Sequence, residues 1–229
     1  VVLLARNEDK LRAAAAQLPT PAQQQHTYLV ADYAQPDQVA AAVNAFLAAG
    51  NTVHVLVNNT GGPAAGPLLD AEPDAFVAAF QQHLINNQRL AQAVVPGMRA
   101  SGYGRIVNII STSVKVPLHG LGVSNTVRAA VGNWSKTLAN ELAADGITVN
   151  NVLPGATQTE RLTAIIDGRA ARTGRTSAEV SQEMIDEVPM RRFAQPAEIA
   201  AAVAFLASPD AAYITGINLP VDGGRTPNL

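Results

Sequence analysis

A chain of 229 residues, 48% hydrophobic and only 15% charged, carries enough apolar material for a sizeable core, which excludes a disordered or heavily solvated polypeptide. A formal charge of -2 gives no broad attraction for nucleic acid or an anionic membrane, and no apolar run approaches the ~20 residues that span a bilayer. The absence of cysteine excludes disulfides and thiolate metal sites, as suits a cytoplasmic protein, and four scattered histidines offer no metal-ligand spacing.

Val1–Leu4 reads as a strand, so the chain opens inside what reads as a buried element. Asn7 is placed to cap the next helix, with Glu8 and Asp9 in its positive first turn and Pro19 just past its end. His26–Val30 reads as a strand, followed by a helix from about Pro36 to Ala49 that stops at Gly50. Val53–Val57 is a strand running into Asn58-Asn59-Thr60-Gly61-Gly62, a loop too rich in turn formers to extend it. A long helix from about Asp74 to Ala100, a strand over Arg105–Ile110 and a helix from about Ser124 to Ala144 come next. Ile147–Val152 is a strand closed by Pro154-Gly155. Residues 157–189 are polar and rich in arginine, and they read as a mobile excursion that serves as a substrate lid. The helix Pro196–Leu206 and the strand Ile217–Val221 lead to Asp222-Gly223-Gly224.

Short β-rich runs alternating with alanine-rich helices define one domain over residues 1–229, an α/β doubly wound parallel sheet. Each crossover is long enough for a right-handed parallel connection. Such a sheet binds its ligand outside the carboxyl ends of its strands. The loops after Leu4, Val30, Val57, Ile110 and Val152 therefore hold the candidate site.

Those loops carry a resemblance. Asn58-Asn59-Thr60-Gly61 is similar to the Asn-Asn-Ala-Gly loop of the short-chain dehydrogenase/reductase family, and Arg105 to Ser111 to its catalytic-serine strand. Ile147 to Gly155 resembles its proline-glycine loop. Pro189 to Phe193, Pro196, Glu198, Phe205 to Ser208, Thr215-Gly216 and Val221 to Gly224 resemble the closing signature of its 3-oxoacyl-carrier-protein reductases. The resemblance runs through the whole chain in unbroken order. It implies a Rossmann-type fold, reduction of carbonyl groups on small-molecule or acyl-thioester substrates with a nicotinamide cofactor, and a homodimer or homotetramer. Trp134, on a helix the family uses for dimer contact, is either an interface anchor or a core residue.

Two departures stand out. The family opens one strand and one helix earlier, with a glycine-rich turn for the cofactor's pyrophosphate, and no G-x-x-x-G-x-G occurs here. A strand and a helix are therefore expected ahead of Val1. The family's catalytic tetrad is asparagine, serine, tyrosine and lysine. Its serine falls on Ser111, its tyrosine on Ser124, its lysine on Arg128 and its asparagine on His83. Ser124 and Arg128, at i and i+4, share a helix face. An aliphatic hydroxyl is a far weaker acid than a phenol, and a guanidinium cannot relay protons as an amine can. His83 has an intrinsic pKa suited to acid–base work.

The resemblance places Arg6 beside the adenosine ribose, where a guanidinium matches a 2′-phosphate and favours NADP(H) over NAD(H). It places Asp32 at the adenine amino group and Asn59, Thr60 and Gly61 along the cofactor. Arg128 falls at the nicotinamide ribose, and Pro154, Gly155, Thr157 and Thr159 near the nicotinamide amide. Arg161, Arg169, Arg172 and Arg175 either receive a phosphate-bearing substrate or form a solvated lid. Two functions remain open: an NADP(H)-linked reductase with impaired or altered chemistry, and a non-catalytic cofactor-binding or scaffold protein that keeps the fold.

Overall fold

The computed structural model describes residues 1–227 and alternates strand and helix in the anticipated order. The strands are β1 (Val2–Ala5), β2 (Thr27–Val30), β3 (Val55–Asn58), β4 (Gly104–Ile109), β5 (Ile147–Pro154) and β6 (Asn218–Val221). The helices are α1 (Glu8–Gln17), α2 (Pro36–Ala48), α3 (Pro73–Phe80) and α4 (Asn86–Ser101), then α5 (Gly122–Leu142), α6 (Glu160–Thr173), α7 (Ser177–Asp186) and α8 (Pro196–Ala207). Asn7 caps α1, its side chain accepting from the Lys10 N–H.

Every strand pairing is parallel. The strands do not form one continuous sheet among the described residues. β1 pairs with β2, while β3, β4, β5 and β6 pair in that order, so the break falls between β1 and β3. β5 is buried from Ile147 to Leu153, as a strand covered on both faces must be. On one face Ile106 and Val149 pack with Val39 and Val43 of α2, Leu90, Val94 and Met98 of α4, and Leu142 of α5. On the other, Val107 and Val152 pack against Ile199 and Leu206 of α8.

A row of asparagines crosses the larger sheet on the α5 side. Asn58, Asn108, Asn151 and Asn218 stand in register on β3 to β6. Asn58 Nδ2 donates to Asn108 Oδ1 at 2.8 Å, Asn108 Nδ2 to Asn151 Oδ1 at 3.0 Å, and Asn151 Nδ2 to Asn218 Oδ1 at 2.8 Å. Asn108 also donates to Ser135 Oγ of α5 at 3.2 Å.

Two expectations need correction. The long helix over 74–100 is divided: a π turn at Gln81–Ile85 separates α3 from α4, and His83 lies in it. Residues 157–189, read as an excursion with no elements assigned in it, contain the helical pair α6 and α7. Leu162, Ile166 and Ala170 recur every four residues along α6 and pack with Val180 and Phe193 in a small core. Thr159 caps α6, and Thr176 with Glu179 forms a capping box on α7. Arg169 and Arg175 are spent on a shared partner, Glu183 of α7.

Trp134 is half-buried, packs against two buried clusters and donates from Nε1 to Gln88 Oε1 at 2.7 Å.

Candidate functional site

The end of β4, the loop after β3 and the first turns of α5 meet at one place. Ser111 follows β4 and caps a short 3-10 turn, its half-buried Oγ accepting from the Ser113 N–H at 3.1 Å. That contact anchors the oxygen and leaves the hydroxyl proton free for a bound acceptor.

One turn apart on α5 stand Ser124 and Arg128. Arg128 is nine-tenths buried, and its guanidinium holds two main-chain carbonyls: Nη1 donates to Ile109 O at 2.6 Å and Nη2 to Thr60 O at 3.3 Å. It thereby ties the end of β4 to the loop after β3. Burial, with the charge of Arg161 adding to it, lowers Arg128 to about 10, which still leaves a cation at neutral pH. Ser124 Oγ lies on the same side, half-buried.

His83 is 3% exposed, and its Nδ1 shares a 2.5 Å hydrogen bond with Thr60 Oγ1. Its Nε2 is buried with no partner among the described residues. Burial, reinforced by the charge of Arg128, pushes the imidazole down to about 3. It is therefore neutral near pH 7. A ring neutral near pH 7 does not carry the imidazolium that a proton-donating histidine would use. Its place is to hold the Thr60 side chain.

The candidate cofactor residues fall into separate groups. Arg6 and Asp32 follow the paired strands β1 and β2 and lie at one end of the smaller sheet. Arg6 is exposed, and Asp32 is half-buried with one carboxylate oxygen accepting from the Ala34 N–H at 2.9 Å. Asn59 and Gly61 are exposed in the loop after β3, and nothing lies within 4 Å of the position a Cβ would take on Gly61. Pro154 ends β5. A Cβ on Gly155 would stand 2.8 Å from the Asp222 Cα, so only glycine lets these two backbones pass. Thr157 Oγ1 donates to Gly155 O at 3.1 Å, and Thr159 Oγ1 accepts from the Leu162 N–H at 3.3 Å as the cap of α6.

These residues fit the two ends of a nicotinamide dinucleotide. Arg6 presents an exposed guanidinium with no ion pair among the described residues, and Asp32 a carboxylate with one oxygen making no hydrogen bond among them. At the other end is open space over Gly61, flanked by Asn59 and Thr60. No glycine-rich turn for the central phosphates occurs among the described residues.

Two contributors escaped the sequence reading. The asparagine row carried a signal, since Asn58, Asn108 and Asn151 each lie near the carboxyl end of an anticipated strand. Arg161, in the first turn of α6, was grouped with the lid arginines, yet it reaches across to donate to Pro63 O. Nothing in the sequence separates it from Arg169 or Arg175.

Residues 1–226 match the family model described as enoyl-(acyl carrier protein) reductase. A 3-oxoacyl-acyl-carrier-protein reductase of Vibrio cholerae is 34% identical over 189 residues, 82% of this chain and 73% of that one. An uncharacterized oxidoreductase of Mycobacterium tuberculosis is 31% identical over 231 residues, spanning 100% of this chain and 84% of its own. Among solved structures, L-sorbose reductase from Gluconobacter frateurii, complexed with NADPH and L-sorbose, matches with a TM-score of 0.91 at 33% identity. That match covers 100% of this chain and 87% of the other. Actinorhodin polyketide ketoreductase with NADPH gives a TM-score of 0.91 at 30% identity, covering 100% and 88%.

Proposed function

Because the chain belongs to the short-chain dehydrogenase/reductase family, we propose that it is an NADP(H)-linked oxidoreductase whose carbonyl chemistry is impaired or altered. It is an NAD(P)-dependent oxidoreductase that resembles 3-oxoacyl reductases. The finer reading rests on one observation. Where the family pattern calls for a phenol and an amine on α5, this chain has Ser124 and Arg128, and the guanidinium of Arg128 is committed to two main-chain carbonyls.

When bound, the dinucleotide supplies or accepts the hydride. The chain's own residues do the rest. Arg6 receives the 2′-phosphate, Asp32 the adenine, and Asn59, Thr60 and Gly61 lie along the cofactor, with Pro154, Gly155, Thr157 and Thr159 at the nicotinamide end. Ser111 donates a hydrogen bond to the substrate oxygen. No neighbour supplies the proton that the developing alkoxide needs: the Ser124 hydroxyl is a weak acid, Arg128 stays charged, and His83 is neutral. A positioned proton donor contributes about 10²–10⁴-fold in rate, and that factor is what this site lacks.

The test is NADPH oxidation with a panel of 3-oxoacyl thioesters and simple ketones. Wild type should turn over slowly, and Ser124→Tyr with Arg128→Lys should gain about a hundredfold on ketones, the lower end of the range a proton donor commands. Brisk wild-type turnover that survives Ser124→Ala overturns the impaired reading. Tight NADPH binding with no turnover in either form favours the second reading, a non-catalytic cofactor-binding protein, which the committed guanidinium of Arg128 also supports. The proposal further includes a small-molecule or acyl-thioester substrate, a homodimer or homotetramer, and a cytoplasmic setting that suits a chain without cysteine. No helix among the described residues is long and apolar enough to cross a membrane.

A further inference from the structure

The arginines around the cleft differ in what they bond to. Arg169 and Arg175 share Glu183, Arg192 holds Glu198, and Arg225 holds Glu187. Arg128 and Arg161 have no carboxylate within ion-pair distance among the described residues, and every protein hydrogen bond they make goes to a main-chain carbonyl. Yet these two cations are brought together. Around the point where a Cβ of residue 62 would lie, Arg161 Nη2 stands at 3.6 Å, Arg128 Nη2 at 3.8 Å and Ser124 Oγ at 4.0 Å. Residue 62 is glycine, so these three atoms border its bare Cα face with no side chain between them. Ser124 Oγ makes no hydrogen bond to the described protein, and its short side chain leaves the point clear where a longer one on the same face of α5 would reach into it.

We propose that Ser124, Arg128 and Arg161 form a carboxylate subsite, so that the substrate is an oxo acid carrying a free carboxylate rather than a neutral ketone. The inference rests on the oxidoreductase reading and narrows its substrate class. Each Nη2 gives one N–H to a main-chain carbonyl and keeps a second, and with the Ser124 hydroxyl these are donors for the two oxygens of a carboxylate resting against Gly62. An anion there converts the mutual repulsion of two neighbouring cations into two attractions, and partial burial strengthens both. Mutual repulsion is already visible in Arg128, which Arg161 helps to lower. The subsite lies between the first turns of α5 and α6, with Ser124 as a member, and so belongs to the substrate side of the cleft. The 2′-phosphate residue Arg6 is on the other sheet.

Calorimetric titration of the free and the NADPH-saturated protein with acetoacetate and with methyl acetoacetate separates charge from shape, because both are the same ketone. The acid should bind at least about tenfold more tightly than the ester, the change that loss of one charge-assisted contact produces. Arg161→Gln should abolish that preference and Arg161→Lys should keep part of it, with NADPH affinity unchanged in both. Arg161 is exposed on α6, and an unchanged thermal melt of each variant establishes that folding is intact. Equal binding of acid and ester overturns the proposal, as does binding of neither by a protein that takes up NADPH. An Arg161→Gln variant that loses NADPH affinity as steeply as acetoacetate affinity overturns it too, because the anion is then a cofactor phosphate. Failure to bind NADPH at all counts against the oxidoreductase reading alone, since the titration of free protein still decides between acid and ester.

Discussion

At the scale of single residues, protonation governs what the site can do, and His83 makes this measurable. Its folded pKa of about 3 lies below the ordinary histidine value of about 6.5. Folding therefore favours the neutral ring. Its contribution is complete above the ordinary value and is lost as pH falls towards about 3, because the unfolded chain gains a proton that the folded chain refuses. At pH 5 the loss from this residue is about 2 kcal/mol. Denaturant unfolding at pH 7.5 and pH 5.0 should show wild type losing about that much more than His83→Asn. Parallel pH dependence of the two proteins refutes it. Arg6 supports a second expectation at this scale. One charge-assisted contact to a 2′-phosphate contributes about 1.5–3 kcal/mol, so NADPH should bind roughly ten- to a hundredfold more tightly than NADH. Arg6→Ala should erase the difference, and equal affinities in wild type count against it. Asn7 was legible as a cap because its partner, the Lys10 N–H, is local. The contact of His83 with Thr60 was not, since those residues are 23 apart and meet only when the π turn packs under the loop after β3.

At the scale of elements, the asparagine row joins β3 to β6 through side chains as well as backbone. Asn108 is fully buried and serves three neighbours: it accepts from Asn58 and donates to Asn151 and Ser135. Asn108→Ala leaves those groups without a partner in a dry interior, at about 1–3 kcal/mol for each unsatisfied group. We expect a total loss of at least about 3 kcal/mol, whereas Asn59→Ala, exposed one residue after β3, should stay within about 0.5 kcal/mol. Chemical denaturation of both variants decides the matter, and a mild Asn108→Ala would show that the row contributes little. Strand positions were readable to within two or three residues because β-branched runs between turn formers leave few alternatives. Two features were not. The π turn keeps the composition of a continuous helix, so nothing marks it in the sequence. The apolar stripe of α6 is diluted by arginine and threonine, which hid its four-residue repeat.

At the scale of the whole molecule, the doubly wound architecture was legible because alternating strand and helix with long crossovers admits few topologies. The β1–β2 pair meets the larger sheet through Leu4, Leu29 and the packing of α2 against α4, reinforced by the Arg89–Asp37 ion pair and by Asn86 Nδ2 donating to Tyr33 O. The dinucleotide of the proposed function would touch Arg6 and Asp32 on one sheet and the loop after β3 on the other. Its binding would then act as a staple, tying the loops after β1 and β2 to the loop after β3. At a hundredfold excess over its Kd it would stabilise the bound form by about 2.7 kcal/mol.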